Sequence, residues 1–418
     1  MNIQNILGGK LSRRENLVFI LLLILSIIFT NCYSYVHWNA PLVRNIMRVM
    51  LFLFFIWYLI NKPSTTEMHF SKEIKVLMFI PFLSSISSYI DFNQPLHMTA
   101  MVSVVAFTWV TYFMLHAYKV SERVLLQLFF IVAIFIAVVR IVQQFTYPDV
   151  LFGVYSQELM DAYDFINEAA EQRNGIWRFR IPDGNFTAIT LFAFWVWLRQ
   201  RFSKLKLFVV ALLLVSIYLT LTRQIIASCL LTIIFSLTIE QKQIKITPIL
   251  LGVSLILGLY IYSDVLFGAF MEQTQKDATD DYIRLASAAY FWEEATSKLH
   301  VFLLGYGEFV GGSQYGKYVL RLNDMRFFIS DVGWIGFLFK FGIIYLVFSF
   351  RILYKILFTF RKSIPEYIRM VVLFSSFISI MIFPFSGVIS YFSWSLVLYI
   401  SDLHINRSSL RLSTTIKG

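Results

Sequence analysis

The sequence is poor in the residues that build disulfide frameworks and metal centres. It has two cysteines, Cys32 and Cys229, and both lie in or beside apolar stretches. Its six histidines are scattered, and the sequence contains no HExxH, P-loop, Cys-x-x-Cys or serine-hydrolase motif. These absences argue against a disulfide-stapled domain or a zinc cluster, and we expect neither a metal nor a cofactor.

Charged residues are also scarce. Only 15% of the 418 residues are charged and 58% are apolar, whereas a soluble domain carries about a quarter charged residues. Long apolar stretches recur along the chain, and a helix that crosses a bilayer needs roughly 20 such residues. The composition therefore predicts an all-α polytopic membrane protein that forms one integral membrane domain over residues 1–418.

The apolar stretches predict about twelve membrane-spanning helices, with each boundary placed to within ~2–4 residues. The first stretch follows a basic segment as a signal peptide does, but it is longer than a usual signal core and lacks a clear cleavage site. We therefore expect it to remain as the first span. The predicted spans are 17–36, 43–60, 74–90, 98–116, 124–145, 185–198, 207–222, 224–239, 246–263, 329–349, 370–384 and 388–402.

Lysine and arginine are concentrated in alternate connecting segments. Segments of this kind face the cytoplasm in membrane proteins, so the net charge of +11 indicates orientation in a membrane rather than binding to nucleic acid. Both termini are then expected inside. The two longest loops, 146–184 and 264–328, fall outside, and we expect both to be partly helical.

Arginine dominates the predicted outer segments. Its planar fork of donors suits a phosphate or diphosphate, although any single arginine could instead snorkel to lipid headgroups or pair with loop acids. Arg140, near the outer end of its apolar stretch, is open to both interpretations. Asp331 stands where a span begins, so it could act as a general base or simply as a helix N-terminal acid beside a capping Ser330.

Several loose motifs follow one another in the second half of the chain. Their order, spacing and predicted outer location resemble the O-antigen polymerase and O-antigen ligase superfamily, the Wzy-type membrane glycosyltransferases of bacterial envelope glycan assembly. The motifs are Leu219-Thr220-Leu221-Thr222-Arg223, Tyr282-Ile283-Arg284 followed by Trp292, Leu304-Gly305-Tyr306-Gly307, and Ser330-Asp331-Val332-Gly333 running to Gly342.

The resemblance implies a metal-independent enzyme of the bacterial inner membrane with periplasmic long loops. Such an enzyme polymerises undecaprenyl-diphosphate-linked oligosaccharide repeat units of O-antigen, capsule or exopolysaccharide, and it releases the carrier diphosphate. Membrane lipids are further implied partners, together with a chain-length regulator and a flippase. No nucleic acid is implied.

The resemblance also implies roles for individual residues. Arg223 and Arg284 match two arginines that are thought to hold the carrier diphosphate. Asp331 stands where ligases carry a histidine, which favours a polymerase, and it is our candidate base. The candidates for binding the glycan are Arg173, Arg178 and Arg180, with Tyr282, Trp292 and Tyr306 as rings that stack on sugars.

Three alternatives stay open at this point. A ligase would use the same donor but transfer the glycan to lipid A-core. A flippase would move the lipid-linked oligosaccharide without chemistry, and such proteins tend to place charges along a cavity through both halves. Here both long loops are predicted on one side, which favours surface chemistry over transport. In a purely scaffolding protein, the third alternative, the arrangement of Arg223 and Arg284 would have no purpose.

Overall fold

The computed structural model of this protein describes residues 11–30, 40–61, 68–147, 170–173, 175–179, 181, 183–239 and 283–416. Most of this part of the chain is helical. The α-helices are α1 Arg13–Thr30, α2 Ala40–Asn61, α3 Ser71–Leu83, α4 Ser85–Phe92, α5 Leu96–Ser103, α6 Val110–Tyr118, α7 Glu122–Thr146, α8 Phe186–Gln200, α9 Lys204–Tyr218, α10 Arg223–Ile239, α11 283–297, α12 Leu299–Leu304, α13 Gln314–Asp324, α14 Gly333–Tyr354, α15 Glu366–Ile378 and α16 Gly387–Ile416.

Several of the described helical segments have the length and composition of membrane spans. Large apolar side chains on the outside, such as Leu17, Phe145 and Phe208, are exposed, as they are when lipid rather than water surrounds a bundle. The prediction of an α-helical membrane protein is confirmed at this level. The five segments among the described residues that are long and apolar enough to cross a membrane are Ser71–Phe92, Leu96–Tyr118, Glu122–Thr146, Ile329–Thr359 and Gly387–Leu410.

Each predicted span other than 246–263 overlaps a described helix, and that stretch lies outside the described residues. The positions agree because an apolar stretch and its polar flanks are local properties of the sequence, which tertiary contacts do not need to supply.

One small element departs from the all-α prediction. Strand β1 (Ala170–Arg173) pairs antiparallel with β2 (Ile176–Phe179), inside the loop that we expected to be partly helical. The turn contains Gly175 at φ +74°, a backbone conformation that glycine adopts without strain. An Asn-Gly pair between two short strands is a hairpin signal, and the sequence analysis overlooked it at Asn174.

The segments that carry the predicted cytoplasmic charge lie together at one end of the bundle. Glu122, which begins α7, lies 2.8 Å from His404 Nε2 and accepts a hydrogen bond of 2.7 Å from Arg407 Nη1 of α16. Arg199 of α8 contacts Glu366 of α15 at 2.6 Å. The first set of contacts joins α7 to α16, and the second joins α8 to α15. Arg199 and Arg407 both belong to segments that the charge pattern predicts on the cytoplasmic side.

Two buried carboxylates extend this network. Asp402 accepts a 3.2 Å hydrogen bond from the backbone N–H of His69 and lies 3.0 Å from Nε2 of His116. Glu73 is fully buried and lies 2.8 Å from Lys355 Nζ. Because a buried carboxylate needs charged or hydrogen-bonded partners, these contacts fix how α3, α6, α14 and α16 meet at this end.

The segments that the sequence predicts to lie outside meet at the opposite end, where Ser71–Phe92 finishes, and we name this end the outer end after that prediction. Asp91 accepts hydrogen bonds from Lys298 Nζ at 2.8 Å and from the Tyr306 hydroxyl at 2.9 Å. His300 Nε2 lies 3.3 Å from the same carboxylate. The segment that follows α11 is therefore tied to the outer end of the bundle.

Helix α14 is broken at Gly342, whose φ of +72° and ψ of 177° are not helical. A break frees backbone carbonyls, and a membrane helix must satisfy them within the protein. Here the backbone N–H of Tyr306 bonds to the Phe339 carbonyl at 2.9 Å, and that of Gly307 bonds to the Lys340 carbonyl at 2.6 Å. The Leu-Gly-Tyr-Gly motif is thus the segment that completes the broken helix.

Two glycines allow this contact. A Cβ atom added to Gly305 would lie 2.3 Å from the Lys340 carbonyl carbon, and one added to Gly342 would lie 2.3 Å from the Leu303 carbonyl oxygen. Real Cβ atoms do not approach backbone so closely, and both glycines have a positive φ. Only glycine fits on either side of this junction.

We expect Gly342→Ala to lower the free energy of unfolding by at least about 2 kcal/mol, because it adds both a left-handed strain and an overpacked contact. Thermal unfolding of the purified protein in detergent measures the change. Gly311→Ala is the matched control, since nothing lies within 4 Å of a Cβ at that position. Equal unfolding temperatures for the two variants would contradict the close contact that we describe between Gly342 and the backbone of Leu303.

Candidate functional site

A cavity of about 590 Å³ lies at the outer end of the bundle. It is formed by the outer end of α7, strand β2, the start of α8, the turn between α9 and α10, helix α15 and the segment after it. One wall, called here the cationic wall, carries the charged side chains among apolar ones, and the other wall is mainly apolar. The polar lining residues are Arg140, Arg178, Asp183, Asn185, Thr220, Thr222, Ser375, Ser386 and Ser390.

The cationic wall centres on Arg140, which projects from α7 and is only 4% exposed. Its Nη1 donates to the Ser216 hydroxyl at 3.1 Å and to Asp183 Oδ2 at 3.3 Å. Its Nη2 donates to the carbonyl of Ile181 at 3.2 Å. A guanidinium inside an apolar bundle is stable only with such partners, so its position is fixed by α9 and by the segment between β2 and α8.

Arg178 adds a second guanidinium to this wall. The hairpin presents it from β2, and its Nη2 lies 3.4 Å from the hydroxyl of Thr222. Trp177, the preceding residue, exchanges two backbone hydrogen bonds with the side chain of Gln144 at 2.7 and 3.0 Å. The hairpin is therefore anchored on α7, which holds Arg178 at the cavity.

The short turn between α9 and α10 forms the next part of the wall. Leu221 there has φ +48°, and the backbone N–H groups of Ile225 and Ile226 bond to the Thr222 carbonyl at 3.0 and 3.1 Å. Thr222 and Ile225 line the cavity. Helix α10 thus begins at the cavity, and the N-terminus of a helix carries partial positive charge that favours an anion.

The start of α8 is a second helix N-terminus at the cavity. Asp183 Oδ1 accepts a 2.9 Å hydrogen bond from the backbone N–H of Thr187 in the first turn. Gly184 and Asn185, which also line the cavity, have positive φ values of 54° and 70°. The chain turns sharply here, and the turn carries Asp183 back toward Arg140.

The wall formed by α15 and the segment after it is mainly apolar, although it includes Ser375 and Ser386. Ser375 is 2% exposed, lines the cavity and has no hydrogen-bond partner for its Oγ among the described residues. A buried hydroxyl without a partner is costly, so a polar group that entered the cavity and bonded to this atom would remove that cost. The apolar residues of this wall are Phe374, Ile378, Ile382, Phe383 and Pro384.

The predicted diphosphate-binding arginines have different positions. Arg223 is the first residue of α10 and follows the lining residue Thr222, but it is not itself part of the lining. Arg284 is half-buried near the described start of α11, at the outer end of the bundle. The structure therefore puts Arg178 and the turn before Arg223 at one cavity. Arg284 lies on α11, which contributes no residue to the lining of that cavity.

Tyr306 is not placed as the sequence analysis predicted. Its ring is fully buried and packs against Phe92, Tyr315 and Phe339, with centroids 5.2, 5.6 and 5.1 Å away. Burial is the main cause that raises the pKa of the Tyr306 hydroxyl, and the hydrogen bond to Asp91 is the second. The hydroxyl therefore stays protonated and donates its hydrogen to Asp91. No face of this ring is open to a sugar, so the stacking role is corrected to a packing role.

Asp331 is also located away from the cavity lining. It lies half-buried in a short 3₁₀ turn just before α14, and its Oδ1 accepts a 3.0 Å hydrogen bond from the Ser330 hydroxyl. Ser330 does not cap α14 through its side chain. Gly333 closely approaches the segment after α15, since its N–H bonds to the Met381 carbonyl at 3.0 Å.

The other predicted glycan-binding residues are only partly described. Trp292 is 45% exposed on α11, and its ring lies roughly perpendicular to the Trp334 ring with centroids 6.2 Å apart. Arg173 ends strand β1. Arg180 and Tyr282 lie outside the described residues.

Sequence reasoning did not select Arg140 or Asp183 as site residues. Asp183 was one of many loop acids, and the contact between the two spans 43 positions in the chain. The available signal was Arg140 itself, an arginine within an apolar stretch, because such a residue usually faces a polar interior.

Comparison with known proteins adds no relative. The chain matches no protein-family model, and neither the curated proteins nor the solved structures gave a match.

We expect Arg140→Met to lower the free energy of unfolding by about 1–3 kcal/mol, because it leaves Asp183 and Ser216 without their shared donor. Adding Asp183→Asn should recover part of that loss, since it removes the unpaired charge. Thermal unfolding of the single and double variants measures this coupling. Arg321→Met, at an exposed position of α13, is the control, and an equal effect at both arginines would refute the assignment.

Proposed function

We propose that this protein is a polysaccharide polymerase of the bacterial inner membrane. It joins undecaprenyl-diphosphate-linked oligosaccharide repeat units of an O-antigen, capsule or exopolysaccharide. One lipid-linked chain donates its glycan to a sugar hydroxyl on the next, and the carrier diphosphate is released. The chain crosses the membrane with about twelve helices, both termini face the cytoplasm, and the long loops and the cavity face the periplasm.

The observation that carries this proposal is the pairing of unlike walls in one cavity. Arg140, Arg178 and the starts of α8 and α10 offer positive charge and N–H groups on one side. Helix α15 and the residues after it offer apolar side chains on the other. A lipid diphosphate has the same division, with a charged group next to a hydrocarbon chain.

The reaction suits a site built from arginines. Transfer breaks the bond between the anomeric carbon and a diphosphate oxygen, and the leaving diphosphate carries the electron pair. Guanidinium groups fixed in a site of low dielectric stabilise that charge without reorganising as it develops. Arginines can therefore supply the stabilisation, and the proposed reaction needs no metal.

The residues implied by the resemblance have roles in the same proposal. Arg223, beside the lining turn, and Arg284, near the described start of α11, bind the diphosphate. Arg173, Arg178 and Arg180 bind the glycan or assist with the diphosphate, and Trp292 and Tyr282 stack on sugars. A chain-length regulator and a flippase are proposed partners of the enzyme.

A ligase is the second candidate because it uses the same lipid-diphosphate donor. The two enzymes differ in the acceptor, which is another repeat unit for a polymerase and lipid A-core for a ligase. Asp331 in place of the ligase histidine favours the polymerase.

Envelope glycans separated on a gel test the function in cells with the gene intact, deleted or replaced by variants of matched expression. We expect deletion, Arg178→Ala, Arg223→Ala and Arg284→Ala each to leave a core that bears a single repeat unit. Removing one fixed donor to a developing charge costs about 10²–10³-fold in rate, which is enough to abolish the ladder. Arg321→Ala removes an exposed outer arginine and should leave the ladder intact.

Other patterns would overturn the proposal. Long carrier-linked polymer with a bare core would identify a ligase. A deletion that lacks all repeat units at the periplasmic face would indicate a flippase, and an unchanged ladder would exclude a role in this pathway.

A further inference from the structure

We propose that Asp183 is the general base of the transfer, an inference that rests on the proposed function. The acceptor sugar hydroxyl must lose its proton as its oxygen bonds to the anomeric carbon, and a carboxylate can take that proton. Asp183 is the one carboxylate among the described residues that line the cavity. The sequence analysis had assigned this role to Asp331, which is not part of the lining.

The two carboxylate oxygens of Asp183 are held differently. Oδ1 accepts the 2.9 Å hydrogen bond from Thr187 N–H, which fixes the side chain at the start of α8. Oδ2 is 3.3 Å from Arg140 Nη1, longer than the ~2.7–2.9 Å of a strong charge-assisted bond. Arg140 divides its donors between Asp183, Ser216 and Ile181, so Oδ2 keeps capacity to accept a proton.

The exposed fractions of the two side chains agree with this difference between the two carboxylate oxygens of Asp183. The side chain of Asp183 is 23% exposed, whereas that of Arg140 is 5% exposed. The carboxylate therefore reaches the open part of the cavity, where an acceptor hydroxyl can approach it.

The proposed step is balanced in atoms and electrons. The O–H bond of the acceptor breaks, and its proton passes to Asp183 Oδ2. The acceptor oxygen bonds to the anomeric carbon as that carbon's bond to the diphosphate oxygen breaks, and the diphosphate leaves with the electron pair. Asp183 then gives its proton to water, which restores the carboxylate.

The test uses the full-length protein in lipid nanodiscs with a polyprenyl-diphosphate-linked oligosaccharide as both donor and acceptor. Asp183→Asn keeps an oxygen that can accept from Thr187 N–H, and Asp183→Ser keeps a hydroxyl that can do so. We expect both variants to lower kcat about 10²–10⁴-fold, the usual contribution of a general base. Donor affinity and KM should change little, because the diphosphate-binding cations remain.

Two further variants complete the design. Asp331→Asn removes the rival carboxylate, and Asp324→Asn removes an exposed carboxylate at the end of α13 and should behave as the wild type. A wild-type protein without any transfer activity would refute the proposed function itself. Transfer by the wild type together with nearly normal kcat in Asp183→Asn or Asp183→Ser would overturn only the assignment of the base.

Other outcomes also count against Asp183. A loss of kcat in Asp331→Asn, with Asp183 variants still active, would assign the base to Asp331. An equal loss of donor affinity and kcat in the Asp183 variants would assign Asp183 to positioning Arg140. If neither Asp183 variant folds, the carboxylate is a structural requirement and the proposal is withdrawn.

Discussion

The pairing of polar groups inside an apolar helix bundle is the constraint on which this structure depends. The carboxylates of Asp402, Glu122 and Asp91 each contact residues that are distant in the sequence. Each would be costly without those partners, so their contacts select one arrangement of the helices at both ends. Ser375 is informative for the same reason, because its buried hydroxyl lacks a partner among the described residues and lies at the cavity.

The same constraint explains the broken helix. A membrane helix that stops at Gly342 exposes carbonyls of the preceding turn, and the chain satisfies them with the N–H groups of Tyr306 and Gly307. The loop that precedes α14 is therefore docked into α14 itself rather than resting on the membrane surface. This docking holds the outer segments in place, and it leaves the outer ends of α7, α8 and α10 to form the cavity.

Helix positions depend on neighbouring residues and could be predicted from the sequence, whereas contacts between residues that are distant in the chain could not. Apolar stretches located the helices, whereas the side of the membrane that the alternating basic segments assign to each end of the bundle stays a prediction. Tyr306 was misjudged because a Gly-Tyr-Gly motif gives no sign that a broken helix will cover the ring. Arg140 and Asp183 were not paired because their approach requires the hairpin and the turn before α8, which no periodicity predicts. The Asn-Gly hairpin was a readable local signal that was overlooked.

For the proposed glycosyl transfer, the hardest requirement outside the cytoplasm is to exclude water as the acceptor. Arg140 is held by Ser216, Ile181 and Asp183 before any ligand arrives, so under this proposal it would stabilise a charged leaving group without solvent rearrangement. The apolar wall, if it received the lipid chain as proposed, would displace water from the same space. A sugar hydroxyl that reached Asp183 in such a site would compete with few water molecules, which would favour transfer over hydrolysis.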